Sequence, residues 1–106
     1  MNRNQFISPR IQIDRDKIKA FCQRWKIKEF SIFGSALRED FKRDSDVDVL
    51  VVFDDRAEWD LMDHLHAEDE LAKIFGRNVD LIEMRVVSNP FRRHHILKNR
   101  QILYAA

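Results

Sequence analysis

Three aspartates and one Gly-Ser pair hold most of the chemistry this sequence can offer. Asp46 and Asp48 stand two apart at the start of the run Val47-Asp48-Val49-Leu50-Val51-Val52-Phe53. On a strand, side chains two apart point to the same face, so this spacing sets two carboxylates side by side. Like charges that close repel, and such an arrangement persists best around a cation. All-oxygen ligands suit Mg²⁺ or Mn²⁺, and Mg²⁺ usually takes one or two carboxylates plus substrate phosphates. A third carboxylate, Asp80, lies in Asn78-Val79-Asp80-Leu81-Ile82, where Val79 and Leu81 would face the other side. If the two strands are neighbours, three carboxylates converge. That is enough for two metal ions about 4 Å apart, which stabilise the attacking and leaving oxygens of a phosphoryl displacement.

Gly34-Ser35 follows the β-prone run Phe30-Ser31-Ile32-Phe33. Glycine lets the backbone approach a ligand closely. Exposed N–H groups at a helix start, with the Ser35 hydroxyl, make a seat for phosphate. Arg38, three residues on, adds a guanidinium fork for the same phosphates. Each feature alone is bland: Gly-Ser is a common turn, and Asp-x-Asp is frequently a solvated strand end. The strand context, the spacing and the third acid agree, and together they point to a nucleotide–metal site.

The elements that must position these residues follow from pattern. Asp14 is placed to cap a helix to about Trp25, in which Ile18, Phe21, Cys22 and Trp25 share one face. Phe30–Phe33 reads as a strand ending at Gly34, and residues 36–45 as a short helix or loop. Val47–Phe53 is nearly all apolar after Asp48, as a strand covered on both faces would be. Asp60 caps a predicted helix reaching Phe75, with Leu61, Leu65, Leu71, Ala72 and Phe75 on its inner face and Gly76 at its end. Val79–Ile82 is a third strand. Asn89-Pro90 starts a last helix, and the chain closes with Ile102-Leu103-Tyr104. The segment before Ile13 reads as an arm or an extended stretch. Helices alternating with short strands argue for an α+β or α/β class, a small sheet packed by helices.

Composition sets limits on the rest. The chain has 106 residues, the size of one small domain, with 19 basic and 18 acidic side chains for a net charge of +1. So even a balance argues against a nucleic-acid clamp. One cysteine, Cys22, excludes an internal disulfide and a four-cysteine zinc site. The longest apolar run, Val49–Phe53, is far short of the roughly 20 residues a membrane span needs. No apolar signal region follows Met1. A cytoplasmic protein with no membrane contact is expected.

Phe33-Gly34-Ser35-Ala36-Leu37-Arg38, followed by Ser45-Asp46-Val47-Asp48-Val49-Leu50-Val51, resembles the signature of the DNA polymerase β-like nucleotidyltransferases. Within that superfamily the chain is similar to the minimal nucleotidyltransferases, and Gly76-Arg77-Asn78-Val79-Asp80-Leu81 to their third-acid segment. The resemblance covers about residues 28–84, with a looser, helical tail at about 89–104. It implies one minimal nucleotidyltransferase domain over 1–106, with an α+β polymerase β-like palm. By the same resemblance, Asp46, Asp48 and Asp80 are the metal-binding and catalytic acids, and Asp80 helps to deprotonate the acceptor. Gly34, Ser35, Arg38 and Ser45 hold the nucleotide. The implied reaction is Mg²⁺-dependent (or Mn²⁺-dependent) transfer of AMP from ATP to a tyrosine hydroxyl of a HEPN-type toxin, an RNase encoded nearby. The chain is then that toxin's antitoxin. One departure stands out: Glu39 occupies the place where the family usually has Gly. The three acids and Gly34-Ser35 are intact, so an active enzyme is expected.

Two other functions compete. The acceptor could be a small hydroxylated molecule or an RNA end, although relatives of that kind generally carry a further domain. Alternatively, the protein could neutralise a toxin by binding alone. Charge distribution allows a docking role: residues 54–70 hold eight acids against Arg56, whereas Arg92, Arg93, His94, His95, Lys98 and Arg100 form a basic stretch. His64 and His66 lie about 200° apart on a helix and read as solvated rather than as a metal pair. Cys22 reads as buried and inert, and Tyr104 as packing.

Overall fold

The computed structural model describes residues 4–8, 11–34 and 46–106. β1 (Asn4–Ser8) and β2 (Ile11–Asp14) form an antiparallel hairpin. They lead into α1 (Arg15–Trp25), β3 (Ile27–Phe33), β4 (Val47–Phe53), α2 (Leu61–Phe75) and β5 (Val79–Glu83). A 3-10 turn at Met84–Val86 connects to α3 (Pro90–Lys98), and β6 (Gln101–Ala105) ends the chain. The main sheet has the order β5-β4-β3-β6. β3 runs antiparallel to both β4 and β6, and β4 runs parallel to β5. The architecture is α+β with a mixed sheet.

β4 is interior because its side chains are apolar on both faces. Val47, Val49 and Val51 are fully buried in the larger core with Ile18 and Phe21 of α1 and Ala67 and Leu71 of α2. Leu50 faces the opposite way, into a smaller core with Phe33, Met84, Val87 and Ile96 of α3. A parallel β4–β5 pair needs a crossover, and α2 supplies it.

Local signals start and stop the helices. The Asp14 carboxylate accepts the Lys17 N–H at 3.2 Å, capping α1. Asp60 and Asp63 cap α2 reciprocally, each side chain accepting the other's backbone N–H at 2.9 and 3.1 Å. α2 ends at Gly76 with φ +71°, a conformation other residues rarely adopt. The Asn89 side chain accepts from Phe91 and Arg92, with Pro90 at the first position of α3. The loop after β4 is tied down by aromatics: Trp59 Nε1 donates to the Trp25 carbonyl at 3.0 Å, and its ring lies 4.5 Å from that of Phe53. No described helix is long and apolar enough to cross a membrane.

Two sequence expectations need correction. The tail at 89–104 is not helical throughout. α3 stops at Lys98, and Gln101–Ala105 pairs with β3 as β6, because the second edge of β3 is open and the last residues carry no helical period. Leu61 and Leu65 are not on the inner face of α2: they are 72% and 47% exposed. They lie on the row that continues to Asp69. The row containing Ala67, Leu71 and Phe75 is offset by two positions, about 200° round the helix, and meets the core. Of the two readings of the first segment, the extended one holds: it forms the β1–β2 hairpin. The short helix or loop expected at residues 36–45 lies outside the described residues.

Candidate active site

The strand register assembles the site. Phe33, the last residue of β3, pairs with Asp48 of β4, so the chain leaves β3 at Gly34 beside that aspartate. On the other side of β4, Asp48 pairs with Asp80 of β5 in the parallel ladder. Laterally paired residues project to one face of a sheet, so two carboxylates share the face that also carries Leu50 and Ile82. Asp46 immediately precedes β4 and is exposed. The Val47 N–H donates to the Asn78 carbonyl at 2.9 Å, which aligns the start of β4 with the start of β5. Asp48 is half-buried and Asp80 exposed. Val79 and Leu81 are buried on the opposite face, as alternation requires.

Gly34 is needed on two separate grounds. Its φ is +72°, in the left-handed region. A Cβ at this position would stand 2.5 Å from Asp48 Oδ2, inside any real contact distance. The backbone therefore seats directly against the Asp48 carboxylate. Of the other expected nucleotide-binding residues, Ser35, Arg38 and Ser45 lie outside the described residues, as does Glu39.

Among the described residues, no group of three or more His, Cys, Asp and Glu side chains is arranged to hold a metal ion. The donor set is an open one of carboxylates on a strand end. It suits an ion such as Mg²⁺ that completes its shell with water and phosphate oxygens, rather than one needing a protein cage.

Other titratable groups lie apart from this chemistry. Burial pushes the Cys22 thiol up to about 12, so it is no nucleophile. At the far end of β4, hydrogen bonds from the Arg56 side chain and backbone bring the Asp54 carboxyl down to about 2. Tyr104 is half-buried against the core and pairs with Phe30 in the β6–β3 ladder. Arg100 pairs with Glu29. Arg92, Arg93, His94, His95 and Lys98 are exposed on α3. One carboxylate near the site escaped the sequence reading. Glu68 of α2 accepts the N–H of Leu81, the residue after Asp80, at 3.0 Å. No motif marks Glu68, and the contact exists only once α2 lies along β5.

The nucleotidyltransferase domain family matches residues 15–103. The chain belongs to the nucleotidyltransferase family. This nucleotidyltransferase is similar to a Methanocaldococcus jannaschii chain with the provisional name protein adenylyltransferase MJ1379. The two are 32% identical over 85 residues, which cover 80% of this chain and 85% of that one. Its fold is similar to that of a chain in a toxin–antitoxin crystal structure with AMP-PNP. The TM-score there is 0.71 at 20% identity, covering 89% of this chain and 75% of that one. It is also similar to a chain in the complex of tri-AMPylated Shewanella oneidensis HEPN toxin with MNT antitoxin. Here the TM-score is 0.61 at 18% identity, with 87% and 70% covered. The mixed four-stranded sheet with its helices is thus the polymerase β-like fold of the minimal nucleotidyltransferases.

Proposed function

We propose that this nucleotidyltransferase moves AMP from ATP onto a hydroxyl, a tyrosine in the favoured case, of a HEPN-type toxin encoded nearby, and thereby acts as its antitoxin. The observation that carries the reading is Asp48, in register with Asp80 on one side and seated against the Cβ-less Gly34 on the other. A carboxylate pair at a strand end, next to a backbone that admits close approach, is what a triphosphate with its cations requires. The names of the relatives support the reading: one is called a protein adenylyltransferase, and one structural neighbour contains an AMPylated toxin.

In this reading Asp46, Asp48 and Asp80 would hold divalent cations, which would supply charge neutralisation on the triphosphate. Gly34 and Ser35 cradle the phosphates with backbone N–H groups and the serine hydroxyl. Arg38 and Ser45 add donors to the same oxygens. Asp80 takes the proton of the acceptor hydroxyl. The acceptor oxygen then bonds to the α-phosphorus, the bond from that phosphorus to the bridging oxygen breaks, and pyrophosphate leaves. The whole chain, 1–106, acts as one catalytic domain, and the partner supplies the acceptor side of the pocket.

The test is intact-mass spectrometry of the neighbouring gene's product after incubation with this protein, Mg²⁺ and each NTP in turn. A gain of one or more AMP units with ATP, absent with Asp46→Ala, is the expected result. A stable complex with no mass gain under any NTP would replace transfer by neutralisation through binding. Neither gain nor complex would point to a small-molecule or RNA acceptor.

A further inference from the structure

β5 is the outer strand on its side of the sheet, with β4 its strand neighbour. An outer strand presents N–H groups that no strand accepts. The Leu81 N–H is one of these, and Glu68 Oε2 receives it at 3.0 Å. Glu68 stands on the flank of α2, thirteen positions before Leu81, with its side chain 32% exposed. His64, one turn earlier on α2, places Nε2 3.7 Å from the same oxygen. Leu81 is buried on the core side of β5. The peptide joining Asp80 to Leu81 is therefore held from outside by α2, while β4 holds the strand from inside.

We infer that Glu68 is a positioning residue for Asp80: by accepting the Leu81 N–H, it sets where the Asp80 carboxylate stands relative to Asp48. This rests on the assignment of Asp80 to the site made above. The Glu68 side chain is 32% exposed, so water can take its place at the Leu81 N–H and the contact adds little to global stability. Its contribution is geometric. Shifts on the order of 1 Å at a reacting centre cost far more in rate than in folding. The acceptor comes from α2, the crossover helix that joins β4 to β5, so the helix that brings the two strands together also aligns their carboxylates.

The experiment compares Glu68→Ala, Glu68→Gln and Asp80→Asn in the full chain. Mn²⁺ binding in the presence of AMP-PNP is followed by electron paramagnetic resonance, alongside transfer to the neighbouring gene's product and thermal melting. Glu68→Ala is expected to weaken Mn²⁺ binding and lower kcat by about three- to ten-fold each, the size of one lost hydrogen bond. The KM for ATP and the Tm should stay close to wild type. Glu68→Gln keeps an oxygen acceptor and should recover most of both losses. Asp80→Asn should lose more than either. Wild-type Mn²⁺ binding and kcat in Glu68→Ala, with Asp80→Asn impaired, would overturn the inference and leave the site assignment standing. So would a Glu68→Gln variant as impaired as Glu68→Ala. Wild-type behaviour of Asp80→Asn would remove the site assignment, and the inference with it.

Discussion

Asp48 is the residue on which the candidate site turns, because three strands meet at its position: Phe33 and Gly34 on one side and Asp80 on the other. Replacing it by Asn keeps the shape and removes the charge. Transfer should fall by at least about 100-fold, the scale seen when one group stabilising developing charge is lost, while the Tm holds. Steady-state kinetics and a thermal melt separate the two effects. Gly34→Ala should instead damage both. The added Cβ meets Asp48 Oδ2 at 2.5 Å, and the left-handed backbone adds about 1–2 kcal/mol of strain. A Gly34→Ala variant with wild-type Tm and rate would contradict the close seating of backbone on carboxylate. At the other end of β4, the Asp54 carboxyl sits at about 2 because Arg56 bonds to its charged form. A pKa lowered in the fold means the contact helps at neutral pH. The help fades as pH falls from about 4 toward 2. NMR titration of the Asp54 carboxyl should show the low midpoint in the wild type and a return toward 3.8 in Arg56→Ala.

Among the elements, α2 distinguishes pattern from packing. Its sequence offers Leu61, Leu65 and Leu71 alike, but Leu71 is fully buried and Leu61 is 72% exposed. Leu71→Ala should cost about 2–5 kcal/mol, and Leu61→Ala should stay within about 0.5 kcal/mol of wild type. Urea unfolding would measure both, and equal losses would place the helix in the wrong phase. Both ends of α2 were legible, since Asp60 and Gly76 are residues whose local chemistry starts and stops helices. The phase was not, because a helix with apolar residues on more than one row can bury either, and contact with the sheet selects one. β6 was missed for a related reason. Three apolar residues at a chain end form a strand when an open edge accepts their backbone, and no residue in Ile102-Leu103-Tyr104 announces that edge.

For the whole molecule, the two sides of the sheet form two cores of different size. Cys22 lies in the larger one, with its thiol pushed up to about 12 by burial. A thiol reagent should therefore leave Cys22 untouched in the folded protein and label it only as the protein unfolds. The labelling rate then reports global opening. Labelling as fast as that of a free thiol in native buffer would mean that the larger core is not closed. At this scale the division between sequence and structure is clear. Residue type and short spacing determined the helix caps, the glycine at the end of β3 and the apolar β4, because each depends on interactions within a few positions along the chain. They also determined the family, through Phe33–Arg38 and Ser45–Val51, since each half of that motif is contiguous in the sequence. Only the tertiary structure decided that β5 lies parallel beside β4 with Asp80 opposite Asp48, that β6 closes the far edge, and that Glu68 reaches Leu81. Strand neighbours and helix phase are set by burying apolar area between segments far apart in the chain, and that competition leaves no local mark on the residues that win it.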